Sequence, residues 1–281
     1  MDRGWAIIPF VAISFVHLSD LHLEADPHAW NDHDGDLNQA GARFEVLARF
    51  IDTEHPDAHV VITGDVTDSG TPAQYREALR LLGPWMSRGI LSVVPGNHDC
   101  GTWGLPFVKE RWQMFYRAFS SAIGTSAAVP WVKYLGPVAL VGVDTTLASE
   151  GTGFACGAVG EQQIDRLGAV LSNPAVKGRM PVVLMHHHPF DKNSTTLLAD
   201  AGQFRLALRR GQQYRRKALV LYGHRHGSGR HPQGCVTYVE AQSSIVPQGE
   251  DRRLVFRVVR VDANGRINIR SRRVPLPSSL A

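Results

Sequence analysis

The stretch Phe15-Val16-His17-Leu18-Ser19-Asp20-Leu21-His22 runs from a short apolar segment straight into a carboxylate and an imidazole. Residues 13–17 read as a buried strand, and the Asp-x-His that follows puts both polar side chains on one side of an extended segment, because the side-chain period there is two. The same design recurs four times. An apolar run at 59–63 ends in Gly64-Asp65-Val66-Thr67-Asp68, and one at 91–94 in Gly96-Asn97-His98-Asp99. A third, at 182–185, ends in His186-His187-His188-Pro189, and a fourth, at 219–222, in Gly223-His224-Arg225-His226.

Between these runs, and a further one at 139–143, helical patterns are expected near 38–52, 72–87, 106–119, 161–171 and 196–210. Thr71, Pro72 and Gln74 form a T-P-x-Q helix start, with a capping hydroxyl, a proline suited to the first helical position and a reciprocal amide. Pro106 is a similar candidate opener. Strand and helix alternation argues for an α/β layered fold. Residues 235–240, 254–261 and 267–273 read as consecutive strands with Ala263-Asn264-Gly265 as a turn, so the sheets should be mixed. One domain over residues 1–274 is expected, with 275–281 as a loose tail.

Composition agrees with a globular domain. The chain has 281 residues, 43% hydrophobic and 20% charged, enough for a large core. No apolar run approaches the roughly 18 residues of a membrane span. Residues 5–16 follow Arg3 and could pass for a signal-peptide core; without a small-x-small cleavage site the first-strand reading is preferred. Cys100, Cys156 and Cys235 suggest no disulfide framework, which points to a cytoplasmic setting. Residues 201–281 hold 16 Lys/Arg against 4 Asp/Glu, a balance that attracts anions. Without interleaved aromatics, nucleic acid is not the expected partner. The oligomeric state stays open, with a homodimer as the candidate.

Any one of the five polar clusters is commonplace, and a lone histidine is usually a cap or a core residue. Five of them, each at the end of an apolar strand, are another matter: open α/β sheets build their sites where strand ends converge. Carboxylates and imidazoles gathered there without a cation would repel or desolvate one another. Carboxylates, imidazoles and one amide oxygen suit Mn, Fe, Zn or Co better than a thiolate site would.

In this order the clusters resemble the calcineurin-like metallophosphoesterase superfamily, with its D-x-H, GD-x-x-D, GNH-D, H and GH-x-H motifs, over residues 16–227. The resemblance implies a four-layer αββα sandwich with two mixed sheets and a dinuclear metal centre at the C-terminal strand ends. It implies that Asp20, His22, Asp65 and His226 hold one divalent ion and that Asp65, Asn97, His187 and His224 hold the other, with Asp65 bridging. The motif places the histidine ligand two residues before the proline, at His187. The triple histidine departs from the commoner pair and keeps His186 as the alternative. Asp68 is not carried over as a ligand; a supporting carboxylate is its expected role. His98 is implied to face the phosphate and protonate the leaving oxygen, with Asp99 a candidate to orient its ring. Asn97, His98 and Arg225 are candidates for substrate contact.

The implied reaction is phosphoester hydrolysis by a hydroxide held between the two ions. The opening stretch and Gly64-Asp65-Val66-Thr67-Asp68-Ser69-Gly70 look most like class III cyclic-nucleotide phosphodiesterases, which implies a small phosphodiester of the 3′,5′-cyclic nucleotide type. The motifs report the metal site rather than the leaving group. The alternatives are therefore a phosphomonoesterase, a glycerophosphodiesterase, a nucleotide or lipid pyrophosphatase, and a non-catalytic scaffold. Specificity is expected from loops: residues 24–38, with Asp32, Asp34 and Asp36 too poorly spaced for an EF-hand, and residues 100–119, whose Trp103, Phe107, Trp112, Phe115 and Tyr116 either stack on a base or pack on the core.

Overall fold

Strand β1 (Ile13–Leu18) divides its side chains between two cores: Val16 and Leu18 face one, Phe15 the other. The computed structural model describes residues 12–23, 39–101, 107–124, 129–149, 155–211, 217–262 and 264–281. Among them β1 is followed by α1 (Ala40–Glu54), β2 (His59–Thr63), α2 (Pro72–Ser87), β3 (Leu91–Val94), α3 (Asn97–Cys100) and α4 (Lys109–Ala118). Then come β4 (Trp131–Leu135), β5 (Val138–Gly142), α5 (Glu161–Ser172), α6 (Pro174–Lys177), β6 (Met180–Leu184), α7 (Ala201–Gly211) and β7 (Ala218–Tyr222). The chain ends with β8 (Arg230–Gln233), β9 (Val236–Glu240), β10 (Leu254–Val261) and β11 (Ile267–Val274).

The strands form two mixed sheets, ordered β11-β10-β1-β2-β3 and β4-β5-β6-β7-β9-β8. β1, β2 and β3 run parallel, as do β5, β6, β7 and β9, while β10, β11, β4 and β8 pair antiparallel. Three buried clusters correspond to the three interfaces of a four-layer sandwich. Phe44, Leu47, Ala78, Leu82 and Phe115 cover the first sheet; Leu167, Leu171, Phe204 and Leu208 cover the second. Phe15, Val61, Val94, Trp131, Leu140, Val182, Leu221 and Val259 fill the space between the sheets. β2 and β7 are buried throughout, as parallel strands with both faces covered must be.

The expected start of α2 is present: Thr71 Oγ1 accepts the Gln74 N–H (3.3 Å), and Gln74 Oε1 accepts the Thr71 N–H (3.2 Å). Helix α4 begins at Lys109, and Pro106 lies outside the described residues, as do Ala263, the 24–38 loop and Trp103. The last helix starts at Ala201, because residues 191–198 form turns instead. The segment 275–281 is docked rather than loose: Leu276 packs on the first cluster, and the buried Arg43 donates from Nε to the Leu280 carbonyl at 2.8 Å.

Candidate metal centre

The loops after β1, β2, β3, β6 and β7 meet at one end of the sandwich. The first two are laced by backbone hydrogen bonds, Leu21 N–H to Asp65 O at 2.8 Å and His22 N–H to the same oxygen at 2.9 Å. The Gly223 N–H donates to His186 O (3.1 Å), and the His224 N–H donates to Asp20 Oδ1 (3.1 Å). Among the described residues, the non-glycine residues with positive φ are Asp20, His22, Asp65, His224, His226 and Arg252. All but Arg252 belong to the motifs. Such conformations cost of order 1–3 kcal/mol each and gather where function demands them. Glycine is required beside them: a Cβ on Gly96 would overlap the Asp65 carboxylate, and one on Gly64, where φ is +94°, would meet the His186 ring.

Asp20, His22 and His226 bring one ligand atom each within 4.8 Å of one another, and so do Asp65, His186 and His224. The second group is tightly drawn. His186 Nε2 lies 3.0 Å from Asn97 Oδ1, 3.2 Å from Asp65 Oδ2 and 3.2 Å from His224 Nδ1. Atoms bonded to one ion at ~2.1 Å stand about 3.0–3.4 Å apart. The outward nitrogens fix the tautomers. A carbonyl can only accept, so His186 Nδ1 donates to Thr63 O (2.8 Å) and His224 Nε2 donates to Thr196 O (3.1 Å). The opposite nitrogen of each ring is left to face the centre, as supporting hydrogen bonds do in metal sites. In the first group His226 Nε2 stands 3.6 Å from Asp20 Oδ1, and His22 Nε2 stands 3.9 Å from Asp65 Oδ2. His22 Nε2 is buried with no hydrogen-bond partner among the described residues.

Three sequence expectations change. His187, assigned by the motif register, is in neither group: its Nδ1 lies 2.6 Å from the Thr145 hydroxyl, and its ring packs against Gly157. The chain leaves β6 at Leu184, and His186 is the residue whose side chain turns toward Asp65. Asp99 does not orient His98. It is fully buried, and its oxygens accept the Val66, Thr67 and Gly96 N–H groups and the Thr67 hydroxyl, tying the loops after β2 and β3 together. Asp68 does the work expected of Asp99. Its carbonyl accepts His98 Nδ1 at 2.7 Å, and its Oδ1 stands 3.8 Å from His98 Nδ1 and 3.3 Å from His22 Nδ1. Arg225, the candidate substrate contact, is held by Asp191, Nη1 to Oδ1 at 2.9 Å.

Sequence reasoning missed the end of β5, Val143-Asp144-Thr145-Thr146, a sixth polar cluster after an apolar strand. Asp144 Oδ2 accepts Trp112 Nε1 and the Tyr116 hydroxyl, both at 2.8 Å, and Phe115 is buried. These α4 aromatics therefore anchor the helix rather than form a stacking face.

Burial would push the His22 and His186 rings down. For His22, Asp68, Asp65 and Asp20 outweigh it, and for His186, Asp65 does; both end at about 9. Burial pushes Asp65 up, but His186, His98 and His22 hold it well below the usual carboxylate range. His224, buried beside His186, falls to about 3. The protein thus concentrates negative charge at Asp65 and draws protons onto two rings that a cation would displace. Together with the orphaned His22 nitrogen and the ligand-atom spacing around His186, this donor set fits divalent ions.

A further group, His188, His231 and Glu240, lies near the β9 end. The Phe190 N–H donates to His188 Nδ1 (3.1 Å), so the neutral ring carries its proton on Nε2, which faces Glu240 Oε1 at 3.7 Å. That tautomer offers no lone pair toward the carboxylate, and the arrangement is a polar pair.

A calcineurin-like phosphoesterase family model matches residues 13–228. The chain is 29% identical over 220 residues to a probable cyclic nucleotide phosphodiesterase of Rhodococcus erythropolis, covering 76% of this chain and 64% of that protein. It is 28% identical over 229 residues to a cAMP/cGMP dual specificity phosphodiesterase of Mycobacterium tuberculosis, covering 76% and 61%. It therefore spans somewhat under two thirds of the length of these relatives. In fold it is similar to a dimetal phosphatase from Danio rerio, with a TM-score of 0.67 at 14% identity, covering 94% of this chain and 96% of that one. Among the described residues no helix is long and apolar enough to cross a membrane.

Proposed function

The chain belongs to the calcineurin-like phosphoesterase family, and from that premise we propose that it is a two-metal hydrolase of small phosphodiesters, of the 3′,5′-cyclic nucleotide type. Asp20, His22, Asp65 and His226 would hold one divalent ion, and Asp65, Asn97, His186 and His224 would hold the other. The observation that carries the reading is the position of Asp65 Oδ2, 3.2 Å from His186 Nε2 and 3.9 Å from His22 Nε2, between the two groups. Mn, Fe, Zn and Co all accept these donors. Two divalent cations bound there would neutralise phosphoryl oxygens and acidify a water for attack.

The protein's own groups supply the rest. Asp65 Oδ1 accepts the His98 N–H at 2.9 Å, which fixes the backbone of the acid relative to the centre. His98 donates its Nδ1–H in a hydrogen bond to the Asp68 carbonyl, so Nε2 is the atom that hands a proton to the leaving oxygen. Its side chain is 30% exposed, within reach of a substrate and of solvent protons. The Asp68 carboxylate stands 3.8 Å from the same Nδ1. General acid catalysis of this kind contributes roughly 10²–10⁴ in rate.

The substrate class is supported by the names of the two mycobacterial and rhodococcal relatives. It is tested by incubating the purified chain with added Mn and bis-p-nitrophenyl phosphate, p-nitrophenyl phosphate, cyclic AMP and a glycerophosphodiester. Diesters should turn over faster than the monoester, with cyclic AMP among them. Preference for the monoester would reassign the substrate class. A folded, metal-loaded protein that cleaves none of them would return the chain to the scaffold alternative.

A further inference from the structure

Two adjacent residues of the loop after β7 reach the same turn. His224 donates from Nε2 to the Thr196 carbonyl (3.1 Å), and Arg225 donates from Nη1 to Asp191 Oδ1 (2.9 Å). Asp191 is the organiser of that turn. Its Oδ1 also accepts the Lys192 N–H (2.8 Å) and the Asn193 N–H (3.1 Å), and its Oδ2 accepts the Thr196 hydroxyl (2.6 Å). The side chain is only 2% exposed, although the turn lies at the surface. The turn is backed by the 155–158 segment, through Ala155 N–H to Thr195 O (3.2 Å) and Gly157 N–H to Leu197 O (3.0 Å).

We propose that Asp191 is a positioning residue for the metal centre: through Thr196 it fixes the tautomer and orientation of His224, and through Arg225 it clamps the loop that carries both His224 and His226. The assignment rests on the metal-site reading of His224. The physical chain is short. The Thr196 carbonyl must stay where it is for His224 to keep its proton on Nε2 and present Nδ1 toward His186, 3.2 Å away. The Thr196 hydroxyl is held by Asp191 and by no other residue among those described. A carboxylate is suited to this because its two oxygens accept all four donors at once. Arg225 is 49% exposed, so its ion pair is screened and is the weaker of the two ties.

Calorimetric titration of the metal-stripped protein with Mn(II) tests this, with the absorption spectrum of the Co(II)-loaded protein as a second readout. The wild type should bind two equivalents. Asp191→Ala should weaken the event at His224 by 10–100-fold, the usual magnitude for loss of a supporting partner, weaken the event at His226 by much less, and alter the Co(II) bands. Asp191→Asn, which keeps the shape and some acceptors, should weaken the same event less, and Arg225→Gln by under about tenfold. If Asp191→Ala does not fold, the other two variants decide, since both must weaken the same event. Two wild-type-like events in all folded variants would overturn the assignment and leave the metal reading standing. Equal weakening of both events, tracking a fall in Tm, would mean a purely structural role. A wild type that takes up no Mn(II) would remove the metal reading and this assignment together.

Discussion

His186 Nε2 stands 3.2 Å from Asp65 Oδ2, while the next residue, His187, turns away to place Nδ1 2.6 Å from the Thr145 hydroxyl. The two neighbours should therefore respond differently. His186→Ala should lose one equivalent of metal and at least about 10² in kcat. His187→Ala should keep both equivalents and lose about 1–3 kcal/mol of stability, because a fully buried ring is removed. Metal analysis and chemical denaturation distinguish them. Metal loss in His187→Ala with retention in His186→Ala would reverse the assignment.

His98 belongs to neither of the two ligand groups, although its ring stands edge-on to His22 with centroids 4.7 Å apart, and its Nδ1 is committed to Asp68 O at 2.7 Å. His98→Ala should retain both ions and lose roughly 10²–10⁴ in kcat with little change in KM. The loss should be smallest for substrates with good leaving groups, which need no proton. Wild-type kcat on a diester with a poor leaving group would remove His98 from the reaction.

Gly64→Ala should be severe. Its φ is +94°, and the added Cβ meets the His186 ring and the Gly96 backbone, so a loss of more than about 2 kcal/mol and weakened metal binding are expected. Gly168→Ala is the contrast: the position lies inside α5 with nothing within 4 Å of a new Cβ. It should stabilise by about 0.5–1 kcal/mol. Equal Tm shifts in the two variants would contradict the packing described.

Much of this was legible because the parallel strands are apolar on both faces and end abruptly. The expected runs at 59–63 and 91–94 coincide with β2 and β3. β8, Arg-His-Pro-Gln, was not legible: it is exposed throughout and is a strand only because it pairs with β9. The site was legible as motifs but not in register. Nothing in His186-His187-His188 says which ring turns inward, since that depends on where β6 stops and on the Thr63 carbonyl and the Thr145 hydroxyl meeting His186 Nδ1 and His187 Nδ1. The His98 ring meets Asp68 rather than Asp99 for a similar reason: sequence adjacency to His98 does not encode which residue the ring meets in space.

Two histidines away from the site should make stability depend on pH. Burial, with Lys133 adding to it, lowers His59 to about 3, and burial with Arg257 lowers His17 to about 3. The folded state holds both rings neutral, whereas the unfolded chain protonates them near 6.5. Their stabilisation is thus complete above about pH 6.5 and is lost as pH falls toward 3, at about 1.4 kcal/mol per pH unit for each. Between pH 7.5 and 5 each contributes on the order of 2 kcal/mol. His59→Gln, which can keep a hydrogen bond to Ser92 Oγ (2.9 Å in the parent), should lose about that much less stability over the same interval. Denaturation curves with the same pH slope in both proteins would contradict it.

The most direct test is the metal content of the wild type beside Asp65→Asn, measured on folded protein after loading with Mn and removal of excess. Two ions per chain in the wild type and one or none in the variant, with diester hydrolysis lost, is the result expected of a carboxylate shared by both groups. Two ions retained in Asp65→Asn, or none taken up by the wild type, would contradict a centre built around that residue.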